Sequence, residues 1–290
     1  MPKDKSIHYQ KLLDKWTKKH EGLQREIFEK HKDAFEWLEN NSKQLAVGSI
    51  AGIFMLTNPI VPQIPAFFST STVQEEPVDK RVFLIYDLKN VLPPDVRPLT
   101  RDEEASVSEV LSRTFGIKTV GELSGKRLNS QYGYIGQEQH LARFPGDNML
   151  SHFDNPEEAY DFGKHGMAPG LGAFRYFANS RSEMTAEDSQ REKYYIAVQT
   201  FLSPGFSENV KEYMEFYKYR KMLVVNPQNG KAVVADIADS GPAAWTNKQL
   251  GGSPEVMRYL ERVDGRQKGP VIYLFIDDPE NKVPLGPVSL

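Results

Sequence analysis

The chain has 290 residues, a net charge of −3 and no cysteine, with 26% charged and 39% hydrophobic residues. These figures exclude disulfides, thiolate chemistry and cysteine-ligated metals. No basic stripe favours nucleic acid as a partner, and the length suits one large domain or two small ones.

Residues 1–44 read as an amphipathic or juxtamembrane helix. Leu12, Leu13, Trp16, Leu23, Ile27, Phe28, Phe35 and Leu38 recur at helical spacing. That apolar stripe would also permit helix-mediated self-association. No charged residue lies between Lys43 and Glu75. Within this gap, residues 45–68 read as a transmembrane or signal-anchor segment, although its apolar run is shorter than the roughly 20 residues of a full span. The alternative is a helical hairpin that buries Leu45–Leu56 in a core. The Lys/Arg excess near the N-terminus favours the C-terminus outside the cytoplasm. Residues 69–80 have linker composition, rich in Pro, Ser and Thr.

Residues 81–190 read as an α+β region that elaborates the domain after it. Arg81–Tyr86 is a strand candidate. Thr100-Arg101-Asp102-Glu103 is a capping box that opens a helix to about Phe115. From Tyr132 to Phe177 polar residues are dense. Glu138, His140, Arg143, Asp147, His152 and Asp154 could line a polar cleft, with Glu138, His140 and Arg143 taken as substrate-binding candidates. They could equally belong to a long loop that satisfies its own backbone. Glu138, His140, His152 and Asp154 are the residue types of a zinc site, but no spacing among them matches a metal motif. No metal or cofactor is expected. Gly166–Gly172 lacks the ending of a phosphate loop.

Residues 191–290 read as a β-barrel. Glu192–Gln199 suits its opening strand, with Gln199 and Glu192 as groove candidates. Two apolar runs flank Asn226-Pro227-Gln228-Asn229-Gly230, which is hairpin chemistry. The second run, Ala232–Ser240, carries Asp239. Strict alternation puts Asp239 in phase with Val233, Ala235 and Ile237, and turns Asp236 the other way. A carboxylate at such an apolar edge has a raised pKa, which suits a general acid near neutral pH. A turn Asp bonded to its own backbone is the plainer reading. Asp236 and Trp245 are candidate substrate contacts, Trp245 for stacking on a sugar face. Ser253-Pro254-Glu255 marks a helix start, and Gly269–Ile276 reads as a closing strand.

In this order, Val224-Val225-Asn226-Pro227, Asn229-Gly230-Lys231, Val233-Val234, Ile237, Asp239, Gly241-Pro242, Ser253 and Leu260 resemble the double-psi β-barrel of the rare lipoprotein A family. That family is related in fold to expansins and to a class of lytic transglycosylases. The match covers about Glu192 to Ile276. It departs at Leu250-Gly251-Gly252-Ser253, where the family has Ile-Asp-Leu-Ser. The fold class implied is mainly β with α additions, a C-terminal double-psi-like barrel preceded by the N-terminal helix and anchor. The resemblance makes Asp239 the acid/base of a lytic-transglycosylase-like activity on peptidoglycan glycan strands. The partners implied are wall polysaccharide and a membrane, and the place is the cell envelope. A non-catalytic wall-binding or scaffolding barrel is the alternative.

Overall fold

The computed structural model describes residues 79–262 and 268–290. The expectations for the 1–44 helix, the 45–68 segment and the linker up to residue 78 lie outside these. Among the described residues no helix is long and apolar enough to cross a membrane.

The described chain opens with helices α1 (Lys80–Val91) and α2 (Arg101–Phe115). The Arg81–Tyr86 segment, expected as a strand, is therefore helical. Asp79 caps it by accepting from Arg81 N, and Leu84 and Leu88, four apart, are both buried. One buried face at helical spacing, with Val82, Phe83 and Tyr86 left exposed, outweighs the β-propensity of the run. Helix α2 starts at the expected capping box, with Thr100 and Glu103 bonding reciprocally. It ends on Gly116 at φ +67°, a left-handed cap that glycine adopts without strain.

Strands β1 (Thr119–Val120), β2 (Glu122–Leu123) and β3 (Lys126–Arg127) lead to β4 (Tyr132–Gln137). Next come α3 (Pro156–Phe162), α4 (Ala186–Lys193), β5 (Tyr195–Val198), α5 (Val210–Tyr217), β6 (Lys221–Val225) and β7 (Ala232–Ser240). The chain closes with β8 (Leu250–Gly252), α6 (Pro254–Tyr259), β9 (Lys268–Ile276) and β10 (Gly286–Val288). Six strands pair in a closed ring, β9-β4-β8-β5-β7-β6 and back to β9, with parallel steps at β4·β8 and β5·β7. This closed mixed barrel is compatible with a double-psi fold. Its opening strand is β4, from the middle region, and Glu192-Lys193 end a helix rather than begin β5.

Alternation explains the barrel wall. Ile135, Ile196, Val198, Met222, Val224, Val233, Ala235, Ile237, Leu250, Val271, Tyr273 and Phe275 point inward and pack on Val256, Met257 and Leu260. The intervening residues Leu223, Val225, Ala232, Val234, Ile272 and Leu274 point outward and meet Leu84, Leu88, Val107 and Leu111 of α1 and α2. Strands β6, β7 and β9 are thus apolar on both faces, each large side chain contributing roughly 1.5–3 kcal/mol on burial. Across the other strands the outer cover is different. There the segment 138–178 lies on Tyr195 and Ala238, with Leu141, Ala168 and Phe177 as its few apolar contacts.

Candidate active site

A bulge decides where Asp239 points. Along the parallel pair β5·β7, Ile196 stands opposite Ile237, but Ala197 stands opposite Asp239. Ala238 is the extra residue, and a one-residue shift moves everything after it to the other face. Asp239 therefore leaves the phase of Val233, Ala235 and Ile237 and joins Ala197 on the outer wall. This corrects the expectation from strict alternation. Asp236, before the bulge, is also on the outer wall, so the two carboxylates do not face oppositely.

A row of small residues borders Asp239. Gly251 of β8 pairs with Ala197, and Ala197 pairs with Asp239. Glu138 extends β4 by donating its N–H to Gly252 O at 2.8 Å, and its side chain lies over Gly251, where a Cβ would collide with the carboxyl. The aliphatic chain of Lys248 crosses Gly136 in the same way and brings Nζ to 3.2 Å from Glu138 Oε1. Glycine at 136 and 251 is thus required by two charged side chains that run over the barrel wall. Glu138 and Asp239 flank the saddle made by Gly251 and Ala197.

The two carboxyls are held differently. Asp239 Oδ1 accepts from Ala173 N at 2.7 Å and from Ser240 N at 2.7 Å, and Oδ2 accepts no hydrogen bond among the described residues. Burial raises the Asp239 pKa, and the two backbone donors only partly oppose it. Burial also raises Glu138; Lys248 pulls it down and the nearby Asp239 pushes it up. Two carboxyls near each other with raised pKa values fit proton-transfer chemistry.

The other expected site residues have these places. Trp245, in the turn after Gly241-Pro242, is 84% exposed. Gln199 is buried and donates from Nε2 to Pro242 O at 3.0 Å and Lys248 O at 3.1 Å. It holds both ends of the Trp245 turn and is a positioning residue. Arg143 is buried and bound to Asp147 through Nε at 2.9 Å and Nη2 at 3.1 Å, so it braces the 138–178 segment. Asp236 is buried with neither oxygen hydrogen-bonded, and Arg191 Nε lies 3.8 Å from it. It lines a cavity of about 440 Å³ with Arg191, Tyr219 and Lys221. Burial drives its pKa well up.

His140 does not join Glu138. It is fully buried beside Glu192 and His152, its Nδ1 3.4 Å from Glu192 Oε1. His152 lies between two carboxylates, Nδ1 3.1 Å from Asp147 Oδ2 and Nε2 3.1 Å from Glu192 Oε2. Burial opposes its charge, but these two bonds overcome that and raise its pKa to about 9. Glu192 is fully buried, yet the two imidazoles bring it down to about 2. The sequence contained every member of this cluster. Their union was illegible because it joins β4's extension to helix α4, some fifty positions on.

In comparisons with known proteins, the chain matches no family model, no curated protein and no solved structure.

Proposed function

We propose that the protein acts on peptidoglycan glycan strands, in the manner of a lytic transglycosylase of the rare lipoprotein A kind, with Asp239 as its single acid/base. The observation that carries this reading is the asymmetry of Asp239. One oxygen is fixed by two backbone N–H groups, the other is free to hold a proton, and burial favours the protonated form. Oδ2 gives its proton to the glycosidic oxygen as the bond to the anomeric carbon breaks. The carboxylate then takes the proton of the muramic 6-hydroxyl as that oxygen closes on the same carbon. The acid returns to its starting form and no water is consumed. In this reading the Glu138 carboxylate would stabilise the developing oxocarbenium ion, and the exposed ring of Trp245 would take a sugar face.

In this reading residues 45–68 tether the barrel outside the cytoplasmic membrane. The test is the full chain incubated with purified peptidoglycan, the products read by mass spectrometry beside Asp239→Asn. Anhydro-muramic products from the native chain alone support the proposal. A second reading, a non-catalytic wall-binding barrel, is favoured by the Ala173 loop that covers one oxygen of Asp239. Equal pelleting of both forms with the wall, with no products, would select it.

A further inference from the structure

We propose that His140, His152 and Glu192 form a zinc site that clamps the 138–178 segment to helix α4. This goes beyond the glycan reading and does not depend on it. The donor atoms of the three side chains lie within 4.8 Å of one another, and all three residues are buried. Each imidazole already stands within 3.4 Å of a Glu192 carboxylate oxygen. Zinc bound tetrahedrally at about 2.0–2.2 Å holds its donors about 3.3–3.5 Å apart, so the rings have to close together and Glu192, which meets His140 through Oε1 and His152 through Oε2, has to turn one oxygen to the ion or bind through both.

A second observation points the same way. Among the described residues neither buried ring nitrogen of His140 makes a well-formed hydrogen bond, Nδ1 approaching Glu192 Oε1 only to 3.4 Å. Such a group is costly when left so, and a metal ion removes that cost. His140 contacts the rings of His152 and Phe153, at 4.8 Å and 5.2 Å between centroids. These contacts hold its ring in place without satisfying its polar atoms.

The next layer is also that of a metal site. Asp147 Oδ2 bonds His152 Nδ1 and leaves Nε2 turned to Glu192, the carboxylate–histidine–metal arrangement that fixes a tautomer and raises ligand basicity. Arg143 in turn holds Asp147. On metal binding, the Nε2 proton leaves to solvent and its lone pair goes to the ion. A cavity of about 170 Å³ bordered by His152, Glu192 and Glu255 adjoins the cluster and leaves room for a fourth ligand. Glu255 Oε2 there is itself buried without a partner. Two imidazoles and carboxylate oxygen suit zinc, and burial of all three residues suits an ion that holds two segments together.

The clamp has a consequence for the outer wall. The backbone of His140 pairs with Gly166 and Ala168, and the same segment carries Ala173 to Asp239. An ion at His140 therefore fixes the cover of the barrel lip.

The test uses the full chain, stripped with a chelator and titrated with Co²⁺ alone and then with Zn²⁺. One equivalent of Co²⁺ should give the intense visible absorption of four-coordinate cobalt, and Zn²⁺ should displace it. His140→Phe is the sharpest variant, because it removes both ring nitrogens and keeps an aromatic ring against His152 and Phe153. It should stay folded by circular dichroism and lose the absorption, as should Glu192→Gln. Asp147→Asn should weaken binding about 10–100-fold, and His165→Ala, a histidine that contacts Gln137 outside the cluster, should leave the absorption unchanged. No four-coordinate spectrum in the native chain overturns the proposal. So does the same spectrum in folded His140→Phe. Either result leaves the cluster as an imidazolium bridge between two carboxylates.

Discussion

The two outer faces of this barrel are covered by opposite means. On β6, β7 and β9 the cover is helical, and Leu84, Leu88, Val107 and Leu111 lie on outward Val, Leu and Ile. On β4, β5 and β8 the cover is the 138–178 segment, held by Arg143–Asp147, His152–Glu192 and Lys248–Glu138. An apolar cover needs only shape and area, and it leaves no charged group to act. A polar cover keeps carboxyls and imidazoles in low dielectric, where their proton affinities move and where their partners must be placed by hydrogen bonds. The difference teaches where stability and chemistry reside in one wall. Strand β7 crosses from one regime to the other, with Val234 at its apolar end and Asp239 at its polar end.

The largest expected effect breaks this division on the polar side. Asp239→Asn should lower anhydro-muramic product formation by at least about 10²–10⁴-fold, with the denaturation midpoint unchanged or raised. The native rate should also fall as pH rises through the raised pKa of Asp239, because the acid form is the active one. A rate that climbs with alkaline pH would contradict the role given to it.

On the apolar side, Leu88→Ala should cost about 2–5 kcal/mol in urea unfolding, because Leu88 is fully buried under the helical cover. Turnover per folded molecule should not change. If turnover dropped with stability unmoved, the two faces would not divide as described.

Asp236 lies at the border, and its effect is intermediate. Its folded pKa is raised well above 3.8, so its unfavourable charge develops only as pH climbs. The contribution of Asp236 to stability is fully present below about pH 3.8 and is lost as pH rises through the folded value, by up to about 1.4 kcal/mol per pH unit. Asp236→Asn should remove this loss and be more stable than the native chain at neutral pH. Chemical denaturation across a pH series checks it. Equal stability of the two at neutral pH would mean that Arg191 compensates the charge fully.

Trp245→Ala should have the smallest effect on folding, within about 0.5 kcal/mol, since the ring is exposed. It should nevertheless weaken retention on peptidoglycan. Unchanged retention would remove Trp245 from the site.

What the sequence made legible follows from locality. The capping box at Thr100 and Glu103, the Asn226–Gly230 hairpin and the Ser253 cap depend on residues a few positions apart, and all are present. Ser253 accepts from Val256 N as an N-cap should. Strand β4 was hidden because Gly133 and Gly136 give it no alternating pattern. Their lack of side chains answers Gln249 and Lys248, more than a hundred positions on. Arg81–Tyr86 reads as a strand from its β-branched and aromatic residues, but Val82, Phe83 and Tyr86 are exposed on a helix whose burial depends on Leu84 and Leu88. The outward turn of Asp239 was hidden because a bulge is a property of two strands, and the pattern of one strand does not carry it.

That bulge gives residue number a meaning apart from residue identity. Deleting Ala238 alone would remove the bulge and its extra residue together, so Asp239 would follow Ile237 directly and keep its outward place opposite Ala197. Flattening the bulge while keeping Ala238 would instead turn Asp239 into the hydrocarbon interior. Along this stretch the direction of the carboxylate is thus written in the pairing of two strands and not in the spelling of one.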